Sequence, residues 1–231
     1  WDIVRPVGDR KDKWCKTCLD MGKGGPMSYE TLIYEKQDRV ATITINRPEK
    51  RNAWTTQLSQ EVIDVFGAME DDPEVLVTIL TGTGEKAFSA GADLGNAKTH
   101  KVTTVGEHLA SISPKGFPVF NAVADYPKPV VAAINGFAIG IGCLITLCCD
   151  ILLASDNAEL GLPQVPLGIL PAYGGAVRLA RYVGRGKAME MVLLGERITA
   201  EEAYRVGLVN KVVPLPELMP LAQDYAHRLA S

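Results

Sequence analysis

The sequence predicts an α/β protein in which short strands alternate with amphipathic helices around a core that covers both faces of a sheet. Three observations carry that expectation. β-rich runs and stretches of helical period follow one another along the chain in a loose β-β-α alternation. Two strand candidates, Leu76–Leu80 and Pro129–Ile134, are, but for Thr78, apolar instead of alternating, which is the pattern of a strand covered on both sides. A chain of 231 residues with 47% hydrophobic and 22% charged side chains is also long and apolar enough to bury one sizeable core.

Taken in order, Thr31–Lys36 and Arg39–Ile45 are β-rich runs separated by Gln37-Asp38, which reads as a hairpin. Asn46-Arg47-Pro48 ends the second strand, because proline has no N–H to give to the ladder. Thr55 or Thr56 can cap a helix whose apolar residues Leu58, Val62, Val65, Phe66 and Met69 recur at helical spacing, ending near Asp71-Asp72-Pro73. The strand Leu76–Leu80 closes at Thr81-Gly82-Thr83-Gly84, and Phe88–Asp93 reads as a small-residue loop entering a helix. A longer helix is expected from about Thr104 to Ala124. The second buried strand, Pro129–Ile134, leads through Asn135-Gly136 to Gly140-Ile141-Gly142 and an apolar helix that runs to Cys149. Short strands are expected at Ile151–Ala154 and Ala158–Leu160, then helices at Tyr173–Tyr182, Lys187–Leu194 and Ala200–Val206, the last capped by Thr199. Val209–Val213 reads as a final strand and Leu218–Ala230 as an amphipathic helix.

Several function classes are set aside by composition. A net charge of −3 offers no electrostatic footprint for nucleic acid. The longest apolar stretch, Pro129–Leu147, is interrupted by Asn135 and several glycines and bounded by Lys128 and Asp150, so a buried strand, a turn and a buried helix are expected and no membrane span. No secretory leader is visible, and Cys148-Cys149 sit in an apolar run unsuited to a disulfide framework, which favours a reducing cytoplasm. Residues 1–26 are charged and glycine-rich without apolar period. Lys23-Gly24-Gly25 can be encoded AAA-GGA-GGN, which carries a ribosome-binding sequence just ahead of Met27. Met27 is therefore expected to be the true start, with residues 1–26 a non-native or disordered extension and residues 27–231 the functional domain. Cys15 and Cys18 would supply half of a zinc ligand set, but no second Cys or His pair at ligand spacing follows, and no metal is expected. The last helix reaches Ser231 without a cap or turn, so the C-terminal helical region is expected to be truncated.

Two turns rich in glycine and alanine, Ser89–Asp93 and Gly140–Gly142, are the places where chemistry could live. Small residues let a ligand approach the backbone, and the following helix start offers unpaired N–H groups. Two such groups converging on one oxygen make an oxyanion hole. The competing reading of either turn alone is tight helix–strand packing. Neither has the spacing of a dinucleotide fingerprint or a P-loop.

Six segments then bear on family: Ile45-Asn-Arg-Pro-Glu-Lys-Arg-Asn-Ala53, Ile79-Leu-Thr-Gly, Lys86-Ala-Phe-Ser-Ala-Gly-Ala-Asp-Leu94, Lys128-Pro-Val-Val-Ala-Ala-Ile-Asn-Gly136, Cys149-Asp-Ile151 and Ala203-Tyr-Arg-Val-Gly-Leu-Val209. In content and order they resemble the successive signatures of the crotonase (enoyl-CoA hydratase/isomerase) superfamily, from about Tyr29 to the end of the chain. The resemblance implies a superhelix of β-β-α units that binds an acyl-CoA in a bent pose, with no cofactor apart from the coenzyme A of the substrate. The thioester oxygen would sit between the N–H groups of Ala92 and Ile141, the latter standing where a hydratase carries glycine. Ala53, Ala90, Asp93, Leu94 and Gly140 would line the CoA arm, and Lys50 and Arg51 would contact its phosphates. Family members also form trimers or dimers of trimers, so a homotrimer or hexamer is expected of a complete chain.

Against that pattern, both acid/base glutamates of a hydratase are replaced, one by Leu144 and the other by Gln164. Leucine transfers no proton, and glutamine hydrogen-bonds without titrating near neutral pH. Tyr173 enters a helix near the expected acyl pocket and could donate a proton, its unperturbed pKa of about 10 suiting an acid better than a base; the alternative is a packed aromatic. His108 and Glu107, on the helix between the two turns, are weaker candidates. Asp150 and Glu159 match structural positions, and Cys143 lacks a nearby histidine and reads as core. The expectation is an acyl-CoA enzyme working by oxyanion stabilisation in a reaction other than simple hydration, such as decarboxylation or thioester hydrolysis. The alternatives are a non-catalytic acyl-CoA-binding paralogue and a hydratase with residual activity.

Overall fold

In the computed structural model, residues 29–93 and 118–231 are described, and the architecture below is theirs. The first element is an antiparallel hairpin, with β1 (Leu32–Gln37) paired to β2 (Val40–Ile45) from Leu32↔Ile45 to Gln37↔Val40. Its turn is Asp38-Arg39, one residue later than the sequence suggests, and both residues take left-handed φ values of 50° and 65°. That pair of angles lets a two-residue turn follow the twist of its strands.

Helix α1 (Thr56–Glu70) begins at Thr55, whose side chain accepts the Leu58 N–H at 3.1 Å. The five apolar positions read from its period are all buried. Their burial is worth on the order of 10 kcal/mol in transfer free energy. The chain then enters β3 (Val77–Gly82), buried at every position, which lies parallel to β2 on one side and to β5 (Val130–Ile134) on the other. With β7 (Ile151–Ser155) and β10 (Lys211–Val213) these form a six-stranded sheet in the order β1-β2-β3-β5-β7-β10.

Both faces of that sheet are covered. On one lie α1, α2 (Pro118–Ala124) and α3 (Ile141–Thr146), within the main core. On the other, α6 (Leu215–Ala230) sets Leu218, Ala222 and Ala226 against Val40, Val77, Ile79, Val131, Ala133 and Leu153. This is the amphipathic helix of the sequence, starting a turn earlier than expected.

Of a second, smaller sheet the sequence shows one strand, the run expected at Ala158–Leu160. The sheet consists of β4 (Ala87–Ser89), β6 (Phe137–Ile139), β8 (Glu159–Gly161) and β9 (Arg197–Thr199) in that order, the first three parallel and the last antiparallel. Each strand is three residues long, too short to show a period. Two buried asparagines tie this sheet to the larger one. Asn52 donates to the carbonyls of Thr83 (3.0 Å) and Ala87 (2.7 Å) and accepts from the Arg47 N–H (3.0 Å). Asn135 donates to the carbonyls of Gly82 (2.8 Å) and Gly84 (2.6 Å) and accepts from the Gly82 N–H (3.2 Å).

Other boundaries also differ. The apolar helix expected to reach Cys149 is α3, which ends at Thr146. The two helices expected at Tyr173–Tyr182 and Lys187–Leu194 are the two halves of α4 (Gly175–Leu194), which meet in a kink at Gly184, where φ is 75° and ψ 164°; the first begins at Gly175 and not at Tyr173. Thr199 does cap α5 (Ala200–Arg205), accepting the Glu202 N–H at 3.2 Å. Of the helix expected from about Thr104, only α2 lies within the described residues, and Cys15, Cys18 and Met27 lie outside them. Among the described residues, no helix is long and apolar enough to cross a membrane, and no cluster of His, Cys, Asp or Glu could hold a metal ion.

Candidate active site

The three parallel strands β4, β6 and β8 end side by side, and in α/β folds ligands bind at the carboxyl ends of such strands. From these ends run Ala90-Gly91-Ala92, Gly140-Ile141 and Leu162-Pro163-Gln164.

The first turn is held from behind by the segment Arg51–Trp54. Ala90 N–H donates to the Arg51 carbonyl at 3.0 Å, Trp54 N–H to the Gly91 carbonyl at 2.7 Å, and Asp93 N–H to the Trp54 carbonyl at 2.9 Å. The last two bonds form a parallel bridge between Trp54 and Ala92. In such a bridge the flanking residues do the bonding, so the N–H of Ala92 itself points away from Trp54. Gly91 has φ of 93°, and a Cβ there would sit 2.8 Å from the Ile139 carbonyl oxygen.

In the second turn, Gly140 takes φ 56° and ψ −116°, donates to the Gly161 carbonyl at 2.9 Å and accepts the Leu144 N–H at 2.9 Å. Ile141 is the first residue of α3, where a helix has no internal acceptor for its N–H groups. A Cβ on Gly140 would lie 3.9 Å from Gly91 Cα, and one on Gly142 would lie 2.5 Å from the Ser89 carbonyl oxygen. The turns therefore pack backbone against backbone. Among the described residues, neither the Ala92 nor the Ile141 N–H donates to a backbone acceptor.

Gln164 joins them from the third strand end. It is only 9% exposed, and its Nε2 lies 3.8 Å from where a Cβ on Gly140 would be. Its Oε1 is buried with no hydrogen-bond partner. Its carbonyl accepts from the Leu167 and Ile169 N–H groups at 3.0 and 3.1 Å, which fixes the backbone beneath the amide. Leu144 is buried on α3 and abuts Gly175, where any side chain would collide with a Leu144 methyl. Tyr173 adopts a left-handed φ of 57°, and its ring stacks on Phe120 with centroids 5.2 Å apart. Burial pushes its phenol pKa up, which removes it further from service as a base. Leu144 thus lies in the apolar core.

The remaining candidates divide. Lys50 and Arg51 are exposed beside the first turn, Ala53 is half-buried, and Ala90 and Ala92 face solvent. Asp93 forms an ion pair with Arg47 at 3.1 Å, and Arg47 also donates to the Ala53 carbonyl at 2.5 Å. That clamp, like the Trp54 bridge, joins residues far apart in sequence and has no periodic signal. Cys143 is buried, and burial pushes its thiol up to about 12, so it is no nucleophile. Asp150 accepts the Val130 N–H at 2.8 Å, and Glu159 meets Arg197 at 3.5 Å. Leu94, Glu107 and His108 lie outside the described residues.

A short parallel sheet with two backbone-packed turns at its open edge, each carrying an N–H without a backbone acceptor among the described residues, defines the class: an α/β fold that presents its main chain at that edge. The sequence model of the enoyl-CoA hydratase/isomerase family matches residues 35–231, and the chain belongs to that family. It is 45% identical over 205 residues to the short-chain-enoyl-CoA hydratase of Clostridium acetobutylicum, covering 89% of this chain and 77% of that protein. It is 42% identical to the crotonyl-CoA hydratase of Syntrophomonas wolfei, with the same coverage of 89% and 77%. Among solved structures, an enoyl-CoA hydratase from Bacillus anthracis superposes with a TM-score of 0.79 at 35% identity, over 87% of this chain and 77% of that one. DspI of Pseudomonas aeruginosa superposes with a TM-score of 0.80 at 34% identity, over 90% and 78%.

Proposed function

We propose that this protein binds an acyl-CoA thioester at the open edge of the small sheet and stabilises its oxygen, as an enolate or tetrahedral anion, between the Ala92 and Ile141 N–H groups. The reaction would be one other than hydration of a simple enoyl-CoA. The observation that carries this reading is the pair of backbone N–H groups, one on each of two adjoining glycine-rich turns, that find no backbone acceptor among the described residues. Relatives named for the hydration of short-chain enoyl-CoA and crotonyl-CoA support the substrate class. Ala53, Ala90, Asp93, Leu94 and Gly140 would line the CoA arm, with Lys50 and Arg51 toward its phosphates. No cofactor is called for beyond the coenzyme A of the substrate.

Hydration needs a carboxylate to activate water and an acid to protonate carbon. Leu144 and Gln164 supply neither, and Leu144 fills its space with methyl groups against Gly175. An oxyanion hole without a base suits a step that generates the enolate by itself. Loss of CO₂ from an α-carboxyacyl-CoA does so: the C–C bond breaks, its electron pair enters the enolate, and a proton from solvent or the Tyr173 phenol then quenches it. The Gln164 amide would hold the departing carboxylate. The reading extends to a cytoplasmic protein, in keeping with its buried free thiols Cys143, Cys148 and Cys149. It extends also to a homotrimer or hexamer, for which Met189, Leu193 and Leu194 form an exposed apolar stripe on α4.

An ultraviolet difference titration with acetoacetyl-CoA tests it, because the bound enolate absorbs distinctly and forms without help from either glutamate. A saturable enolate band is expected. Binding by calorimetry without the band would favour a non-catalytic acyl-CoA binder, the second reading, which the joint loss of both carboxylates recommends. Restoring them in the double variant Leu144→Glu, Gln164→Glu should raise crotonyl-CoA hydration by about 100-fold or more. An unchanged rate would mean a pocket shaped for other chemistry.

A further inference from the structure

At the far end of α3 from the oxyanion turn lies a cavity of about 290 Å³. Six residues of helix, about 9 Å, separate the two. Its walls are Cys148 and Asp150, just past α3, and Arg178, Arg181 and Tyr182 on α4. The Arg178 Nε is buried and has no hydrogen-bond partner. Among the described residues, neither Arg178 nor Arg181 forms an ion pair.

Most of the cavity's other polar groups are engaged. The Tyr182 hydroxyl donates to the Cys149 carbonyl at 3.1 Å, and the Cys148 thiol to the Leu144 carbonyl at 3.3 Å. Asp150 is the one carboxylate in the wall, and its Oδ2 is held by the Val130 N–H at 2.8 Å. Asp125 acts on Cys148 from outside the lining. The unspent donors are therefore those of two guanidinium groups three residues apart on one helix, which repel each other while unpaired. Arg178 is also held in place: it folds back over Gly174, where a Cβ would come within 3.3 Å of Nε. Gly174, with φ of 81°, leaves that room. The Nε of Arg178 is sealed against Gly174, so a ligand would meet the terminal nitrogens of the two guanidinium groups, and an oxyanion with several oxygens could accept from both at once.

We propose that this cavity is a phosphate-binding site built on Arg178 and Arg181, separate from the acyl-CoA edge. Inorganic phosphate is the probe, with sodium chloride at equal ionic strength as reference. Thermal unfolding of the whole chain should show a saturable rise in Tm with phosphate beyond that in chloride. Calorimetry should show phosphate affinity at least about tenfold weaker in Arg178→Met, the loss of a charge-assisted contact, and less weakened in Arg178→Lys. Should Arg178→Met fold poorly, Arg181→Met removes an exposed side chain and should still weaken binding, and phosphorus NMR line broadening reads the wild-type site directly. A Tm rise no greater than in chloride, or unchanged phosphate affinity in both methionine variants, would overturn the proposal. The source of the phosphate is read by competition. Displacement by neither coenzyme A nor its 3′-dephospho form supports a separate phosphate site, whereas displacement by coenzyme A would overturn the separation from the acyl-CoA edge.

Discussion

The six-stranded sheet and the four-stranded sheet solve different problems with the same chain. The larger has strands of up to six residues, and β3 and β5 are buried at every position under helices on both faces. The smaller has strands of three residues and depends on the side-chain amides of Asn52 and Asn135 for its attachment, yet it carries every described residue of the candidate site's two turns and Gln164 at its edge. Apolar burial is non-directional and tolerates small shifts, so it suits a scaffold. Backbone N–H groups that must meet one oxygen need placement to a fraction of an ångström, which close backbone contact and hydrogen bonds provide.

If this division holds, damage to the two sheets should separate stability from binding. Ile79→Ala, in the middle of β3, should lower unfolding free energy by about 3 kcal/mol in denaturant titrations. It should leave the acetoacetyl-CoA affinity of the folded protein unchanged; a parallel loss of affinity would erase the distinction. Gly142→Ala should cost less, about 1–3 kcal/mol, because the new methyl pushes the start of α3 away from the Ser89 carbonyl. Its binding defect should nonetheless be the larger of the two, with the enolate band lost.

The smallest effect concerns the edge of the large sheet and depends on pH. Glu61 on α1 is buried, which pushes its carboxyl up, but hydrogen bonds from the side chains of Thr31 and Gln57 and the N–H groups of Thr31 and Glu30 outweigh this and hold it below the usual carboxylate range. A lowered native pKa means stabilisation that is present above the unfolded value of about 4.3 and lost as pH falls through the native one. Glu61→Gln should therefore cost about 1 kcal/mol near neutral pH, with the gap to wild type closing below about pH 4. A gap independent of pH would mean that packing, and not the charge, is what Glu61 contributes.

Much of the large sheet was legible because each element advertises itself locally. The helical spacing from Leu58 to Met69, the Thr55 cap and the largely apolar runs at β3 and β5 need no knowledge of neighbours. The small sheet, apart from the strand expected at Ala158–Leu160, was illegible for the converse reason. Ala87–Ser89 and Phe137–Ile139 read as loop because three residues carry no period, and their strand character exists only through pairing with each other. The site was half legible. Its glycine-rich turns and the residues Leu144 and Gln164 could be named in advance, but the Trp54–Ala92 bridge, the Arg47–Asp93 pair and the packing of Leu144 on Gly175 could not.

The sequence by itself determined the α/β class, the position of the glycines that permit close backbone approach, and the absence of a carboxylate at Leu144 and Gln164. These follow from residue type and local spacing. Only the tertiary structure decided that Gly91 faces Gly140, that the Gln164 amide lies over that contact with an orphaned oxygen, and that Arg178 lines a cavity without a partner. Such facts depend on which distant segments meet, and a hydrogen bond or its absence is a property of the meeting, not of either segment.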